Sequence, residues 1–259
     1  MSELELRKQI IKACLYLKKK GLIARTWGNV SARLNDEEFI ITPSGLDYSQ
    51  TKPEDLVVVR IADCSYDKSQ RKPSSEKLVH ASAYRTRPEV NFIVHTHQFY
   101  ASAICADEAS IALSDGSFVP CAAYGLPSTK KLEKNCEKVF TKFTNSTMFL
   151  MAKHGAIVFG SESMNEALER AEQLEKECKT KFDRRVRKYD TPDEMEAYLD
   201  DYAQLFPLQS QEDEEAINMV KGKNAAAKAY AINSKPLNSL DAKLQHLIYI
   251  KKYSKLKEK

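Results

Sequence analysis

Asn91-Phe92-Ile93-Val94-His95-Thr96-His97 runs from an apolar segment directly into two histidines separated by one residue. The β-prone apolar residues predict a short buried strand. Side chains alternate along a strand, so His95 and His97 project on one face, about 6 to 7 Å apart by the strand rise. That spacing lets two imidazoles converge on one zinc ion, at roughly 2.0 to 2.1 Å from each nitrogen. A plainer reading is a pair of histidines hydrogen-bonded at a strand end.

Working outward, His154 stands in Met151-Ala152-Lys153-His154-Gly155-Ala156. Apolar runs at 147–151 and 156–159 predict strands on either side of it, with Gly155 allowing a backbone conformation closed to other residues. A histidine at such a junction is usually structural, but the chain has only 5 histidines, and a third at a strand end adds to the pair. Of the other two, His246 lies in the charged tail. His80 follows Glu76 by four residues on one predicted helix, either as a partner of the site or as a packed histidine.

Further strands are expected at 39–41, 56–61 and 117–124, and helices at 3–20, 74–86, 98–107, 128–143 and 163–187. The helix at 74 is expected to open on a serine cap. The alternation predicts a layered α/β domain over 1–187. Residues 188–259 carry much charge and no convincing strand, with breaks near Pro207 and Pro236, and read as a helical C-terminal extension.

Composition narrows the class. Of 259 residues, 42% are hydrophobic and 29% charged, which excludes a disordered chain. A net charge of +4 is too small and too scattered for a nucleic-acid module. No segment approaches the ~20 apolar residues of a membrane span, and the N-terminal residues lack an apolar run of signal-peptide length. The 6 cysteines show no CxxC spacing and read as reduced core thiols of a cytoplasmic protein. Any metal must therefore be held by histidine and carboxylate.

Glu76, in Lys72-Pro73-Ser74-Ser75-Glu76, is the carboxylate that would complete a set with the three histidines. Taken alone, a Ser and Glu near a helix start is also an ordinary capping arrangement. Two further segments, Thr26-Trp27-Gly28-Asn29-Val30-Ser31 and Thr42-Pro43-Ser44-Gly45, read as loops rich in hydroxyls and glycine. With Ser74 and Ser75 at a helix N-terminus, they could present N–H and O–H donors to a phosphate. Each by itself is an ordinary turn.

Taken in order, Gly21 with Thr26-Trp27-Gly28-Asn29-Val30-Ser31, Ile41-Thr42-Pro43-Ser44-Gly45, Lys72-Pro73-Ser74-Ser75-Glu76, Arg87-Pro88 with Val94-His95-Thr96-His97, and Lys153-His154-Gly155 resemble the class II aldolase/adducin superfamily. The resemblance spans roughly residues 5–180. It implies a three-layer α/β/α domain around a largely antiparallel sheet, assembled as a homotetramer. It also implies zinc, or another divalent ion, on His95, His97 and His154, with Glu76 as catalytic acid/base that also approaches the metal. Asn29, Ser44, Gly45, Ser74 and Ser75 match phosphate-binding positions, and Thr26 and Gly28 shape the first loop.

The activity implied is retro-aldol cleavage of a small phosphorylated ketose to dihydroxyacetone phosphate and an aldehyde. A dehydratase, decarboxylase or 4-epimerase on the same scaffold is the alternative, and a non-catalytic adducin-like protein a further one. Epimerases of the superfamily tend to carry aspartate where Glu76 stands. Known aldolases of this type bring a tyrosine from the loop after the His-x-His strand to a neighbouring subunit's site. Residues 111–117 contain no tyrosine. The last 70 or so residues do not resemble the aldolase tail, which contributes another.

Overall fold

The computed structural model describes residues 2–23, 27–106 and 109–186. The chain divides into two units, Met1–Lys179 and Thr180–Lys259, and the fold set out here is that of the first. The helical extension expected over 188–259 lies outside the described residues, as does Thr26. No described helix is long and apolar enough to cross a membrane.

The elements are α1 (Glu3–Lys19), β1 (Asn29–Arg33), β2 (Glu38–Ile41), β3 (Val57–Arg60), α2 (Lys77–Thr86), β4 (Phe92–Thr96) and α3 (Phe99–Cys105). They continue with β5 (Ile111–Ala112), β6 (Phe118–Val119), β7 (Cys121–Ala122), α4 (Lys130–Lys142), β8 (Met148–Met151), β9 (Gly155–Gly160) and α5 (Met164–Val186). Seven strands form one sheet in the order β3-β2-β1-β4-β9-β8-β7. Every pairing in it is antiparallel except β7 with β8.

Helices α2 and α4 pack together over one face of this sheet. Their apolar residues Val79, Leu132, Cys136 and Phe140 meet Phe39, Ile41, Val57, Ile93 and Ile157. Phe140, Phe149 and Phe159 form a ring triangle with centroids 4.9 to 5.1 Å apart. The intervening strand residues Ile40, Val94, Leu150 and Val158 are equally buried, so the other face is covered too, with α1 along β1 and β2 and α3 along β8 and β9. The result is the three-layer arrangement around a largely antiparallel sheet that the resemblance implies.

Four details depart from the sequence reading. First, residues 29–33 are not loop but β1, a central strand between β2 and β4. Its polar residues Asn29, Ser31 and Arg33 all face α2, and they obscured the strand pattern. Second, the expected strand at 117–124 is two pieces, β6 and β7, in different sheets. Pro120 divides them because it has no N–H to give to a ladder. Third, β5 lies within 111–117 and pairs with β6.

Fourth, α2 begins at Lys77, with Glu76 at the cap position making no side-chain cap bond. Ser74 Oγ instead accepts from the Glu76 N–H at 3.3 Å. The capping explanation of Glu76 therefore fails, and its carboxylate is left for other work.

Candidate active site

Strand β4 delivers His95 onto the α2 side of the sheet, the side that Ile93 shares. His97 lies one residue past the strand end. His154 stands in the tight connection between β8 and β9, the sheet neighbour of β4. Gly155 serves this junction differently from the expectation. The left-handed backbone falls on Lys153 (φ 55°), whereas Gly155 is required by proximity. A Cβ there would sit 2.3 Å from the Thr96 carbonyl oxygen. Gly28 does a related job, with φ 101° and a would-be Cβ 2.7 Å from the His95 carbonyl oxygen.

The three rings converge. Their centroids are 4.7, 5.0 and 4.9 Å apart in pairs. One potential ligand atom from each lies within 4.8 Å of the others. His95 Nδ1–H donates to the Ala156 carbonyl at 2.9 Å, so its Nε2 is the lone-pair nitrogen, and it faces His97 Nε2 at 3.0 Å. Burial, with the mutual influence of the imidazoles, holds His97 and His154 well below the usual histidine range. Burial brings His95 to about 4, against the opposing Ala156 bond.

Neutral imidazole is the state that ligates a metal. A tetrahedral zinc would space its nitrogen ligands by about 3.3 Å. The observed 3.0 Å and 4.8 Å bracket that value, and the residues present fit a divalent ion.

Glu76 is not part of the three-histidine group. Its carboxylate is buried, with Oε2 making no hydrogen bond and Oε1 accepting from Ser128 Oγ at 3.3 Å. Burial raises its pKa to about 7, and bonds from the Ser128 side chain and backbone oppose the rise. Ser128 carries an unusual φ of 69° just before α4. Nothing in the sequence marked it, because a left-handed serine looks like any turn residue.

The expected anion-binding residues fall on three segments that the backbone ties together. Thr42 N–H donates to the Val30 carbonyl at 3.1 Å, Ser44 N–H to Lys72 at 2.9 Å, and Ser74 N–H to Thr42 at 3.0 Å. The Ser44 and Ser74 amides are thus spent on joining the segments. Exposed Ser75 and Gly45 keep their N–H groups clear of any such bond. Asn29 pairs with His95 in the β1–β4 register, so the anion segments begin beside the histidines. Trp27 stands at the same place, its ring 6.4 Å from that of His97.

His80 is fully buried and hydrogen-bonded to Asn29 and Ser31, and Ser31 is bonded in turn to the Tyr84 hydroxyl. The sequence left it as either a packed or a supporting residue.

Comparison with known proteins agrees with this geometry. The family model described as "Class II Aldolase and Adducin N-terminal domain" matches residues 8–182. L-fuculose phosphate aldolase of Haemophilus influenzae is 36% identical over 183 residues, covering 68% of this chain and 81% of that protein. A probable L-ribulose-5-phosphate 4-epimerase of Mycoplasma pneumoniae is 31% identical over 194 residues, covering 66% and 78%. Among solved structures, an L-fuculose 1-phosphate aldolase superposes with TM-score 0.62 at 27% identity, covering 68% of this chain and 84% of that one. The chain belongs to the class II aldolase/adducin family, in the company of sugar-phosphate aldolases and epimerases.

Proposed function

We propose that this protein is a zinc-dependent aldolase that cleaves a small phosphorylated ketose to dihydroxyacetone phosphate and an aldehyde. The observation that carries the reading is the convergence of His95, His97 and His154, all neutral, on one point. Histidine ligation favours zinc over the harder divalent ions. When bound, the ion supplies Lewis-acid polarisation of the substrate carbonyl.

The chain's own residues do the rest. In the cleavage direction, the hydroxyl β to the carbonyl gives up its proton to solvent water. The C–C bond breaks with its electron pair moving to the α carbon, and that carbon must take a proton. Glu76, with a carboxyl near pH 7, both gives and takes a proton at working pH, and it is assigned to the α carbon. Asn29, Gly45, Ser75 and the hydroxyls of Ser44 and Ser74 are assigned to the substrate phosphate, with Gly28 shaping the segment before Asn29. An anchored phosphate holds the scissile bond in place against the histidine group. The same reading includes a homotetrameric assembly.

The test is direct. Zinc-loaded protein is mixed with dihydroxyacetone phosphate and a panel of short aldehydes, and condensation products are sought. A product with at least one aldehyde is expected. No product from any of them, with stoichiometric metal bound, overturns the aldolase reading. Inversion of a pentulose 5-phosphate without cleavage would assign the site to the epimerase chemistry named for the Mycoplasma pneumoniae relative.

A further inference from the structure

Asn29 and Ser31 occupy alternate positions of β1, and His80 and Tyr84 lie one helical turn apart on the facing side of α2. These four residues form a single hydrogen-bonded row. Asn29 Oδ1 lies 2.5 Å from His80 Nε2, and an amide oxygen only accepts, so Nε2 carries the hydrogen. The buried imidazole is neutral, which leaves Nδ1 with a lone pair. Ser31 Oγ, 2.7 Å from Nδ1, donates to it, and Ser31's oxygen in turn takes the Tyr84 hydroxyl hydrogen at 2.7 Å.

An asparagine amide is nearly symmetric in shape, so only its hydrogen bonds decide which end carries the oxygen. Among the described residues, the one side-chain partner of Asn29 is His80. We propose that His80 is a positioning residue, which turns the Asn29 amide so that its N–H donors, and not its carbonyl oxygen, face a phosphate group in the anion-binding segments. This rests on the assignment of Asn29 to the substrate phosphate. A flipped amide would set oxygen lone pairs against phosphate oxygens and repel the ligand. The tie is local, since Val30, next in the chain, accepts the Thr42 amide that joins β1 to the segment bearing Ser44 and Gly45.

The experiment titrates inorganic phosphate into zinc-loaded protein by calorimetry and measures KM and kcat for a cleaved phosphorylated ketose. In His80→Gln the glutamine amide N–H replaces Nε2–H, and phosphate affinity is expected to stay within about threefold of wild type. In His80→Leu, with the donor lost, affinity is expected to fall roughly tenfold or more, the loss appearing in KM and not in kcat. Should the leucine variant fail to fold, Ser31→Ala carries the test. It frees the imidazole to change tautomer, and is expected to weaken phosphate by about three- to tenfold. Wild-type phosphate affinity in the leucine and alanine variants overturns the proposal, as does a glutamine variant as impaired as leucine, or a loss confined to kcat. A wild-type protein that binds no phosphate at all would remove the phosphate assignment itself, and the proposal with it.

Discussion

His80 and the trio of His95, His97 and His154 offer two uses of one side chain a few residues apart in space. All four are held well below the ordinary histidine range by burial, and all are neutral. Burial alone therefore does not separate a structural histidine from a ligand. The nitrogens do. Both ring nitrogens of His80 face protein oxygens, from Asn29 and Ser31. In the trio, ring nitrogens face one another: His95 Nε2 lies 3.0 Å from His97 Nε2, and His97 Nδ1 is buried without a partner. Nitrogens that crowd together, with no donor to satisfy each, describe a place for a cation. Glu76 completes the contrast, since the same burial that pushes the histidines down pushes this carboxyl up to about 7.

Three measurements would break or sharpen that contrast. The largest effect is expected from His154→Ala, which should abolish stoichiometric zinc binding and leave no detectable turnover. His80→Gln should keep its metal. Metal analysis of the two purified variants decides the matter, and equal metal contents would erase the distinction between the two kinds of histidine.

Next comes Glu76→Gln, an isosteric change that should retain fold and zinc while lowering kcat by roughly 10²- to 10⁴-fold, the usual worth of a positioned acid/base. Steady-state kinetics with the metal content held equal is the check. Full activity in this variant would take the proton-transfer role away from Glu76.

The smallest effect concerns acid stability of the chelator-treated protein. A histidine whose folded pKa lies below its unfolded value of about 6.5 adds stability that is complete above that pH and is lost as pH falls toward the folded value. For His95 the window runs from about 6.5 down to about 4. His80, His97 and His154 act in the same sense. Glu76 acts oppositely, since its raised carboxyl favours the folded state below pH 7. Four groups outweigh one, so stability should fall between pH 6.5 and 5, by up to about 1.4 kcal/mol per pH unit for each histidine not offset, and the thermal midpoint should drop with it. Thermal melts across that range give the answer, and a midpoint that holds or rises on acidification would mean the rings are charged in the folded protein.

Much of the fold was legible because its signals are local. Apolar runs around 39–41, 92–94, 148–151 and 156–159 lie in buried strands, and α1, α4 and α5 fall where helical spacing put them. The gaps have local causes too. β1 was hidden because its inward face is polar, and that face is polar because it meets His80 and Tyr84 and not an apolar helix. Pro120 disguised two short strands as one. Within the site, the three histidines could be picked out by residue type and strand position. Ser128 could not, since its bond to Glu76 crosses 52 residues of chain.

The sequence by itself determined the layered α/β class and the family, and it offered candidate side chains for metal, proton and phosphate. Those depend on residue identity and on periodicities of two and 3.6, which short stretches carry whole. Only the tertiary structure decided that Gly155 is needed for close approach to Thr96, that Glu76 is buried and caps nothing, and that His80 holds Asn29 instead of joining the trio. Each of these is a relation between segments far apart in the chain. Burial and hydrogen-bond direction, which set the charge and orientation of every group in the site, exist only once those segments meet.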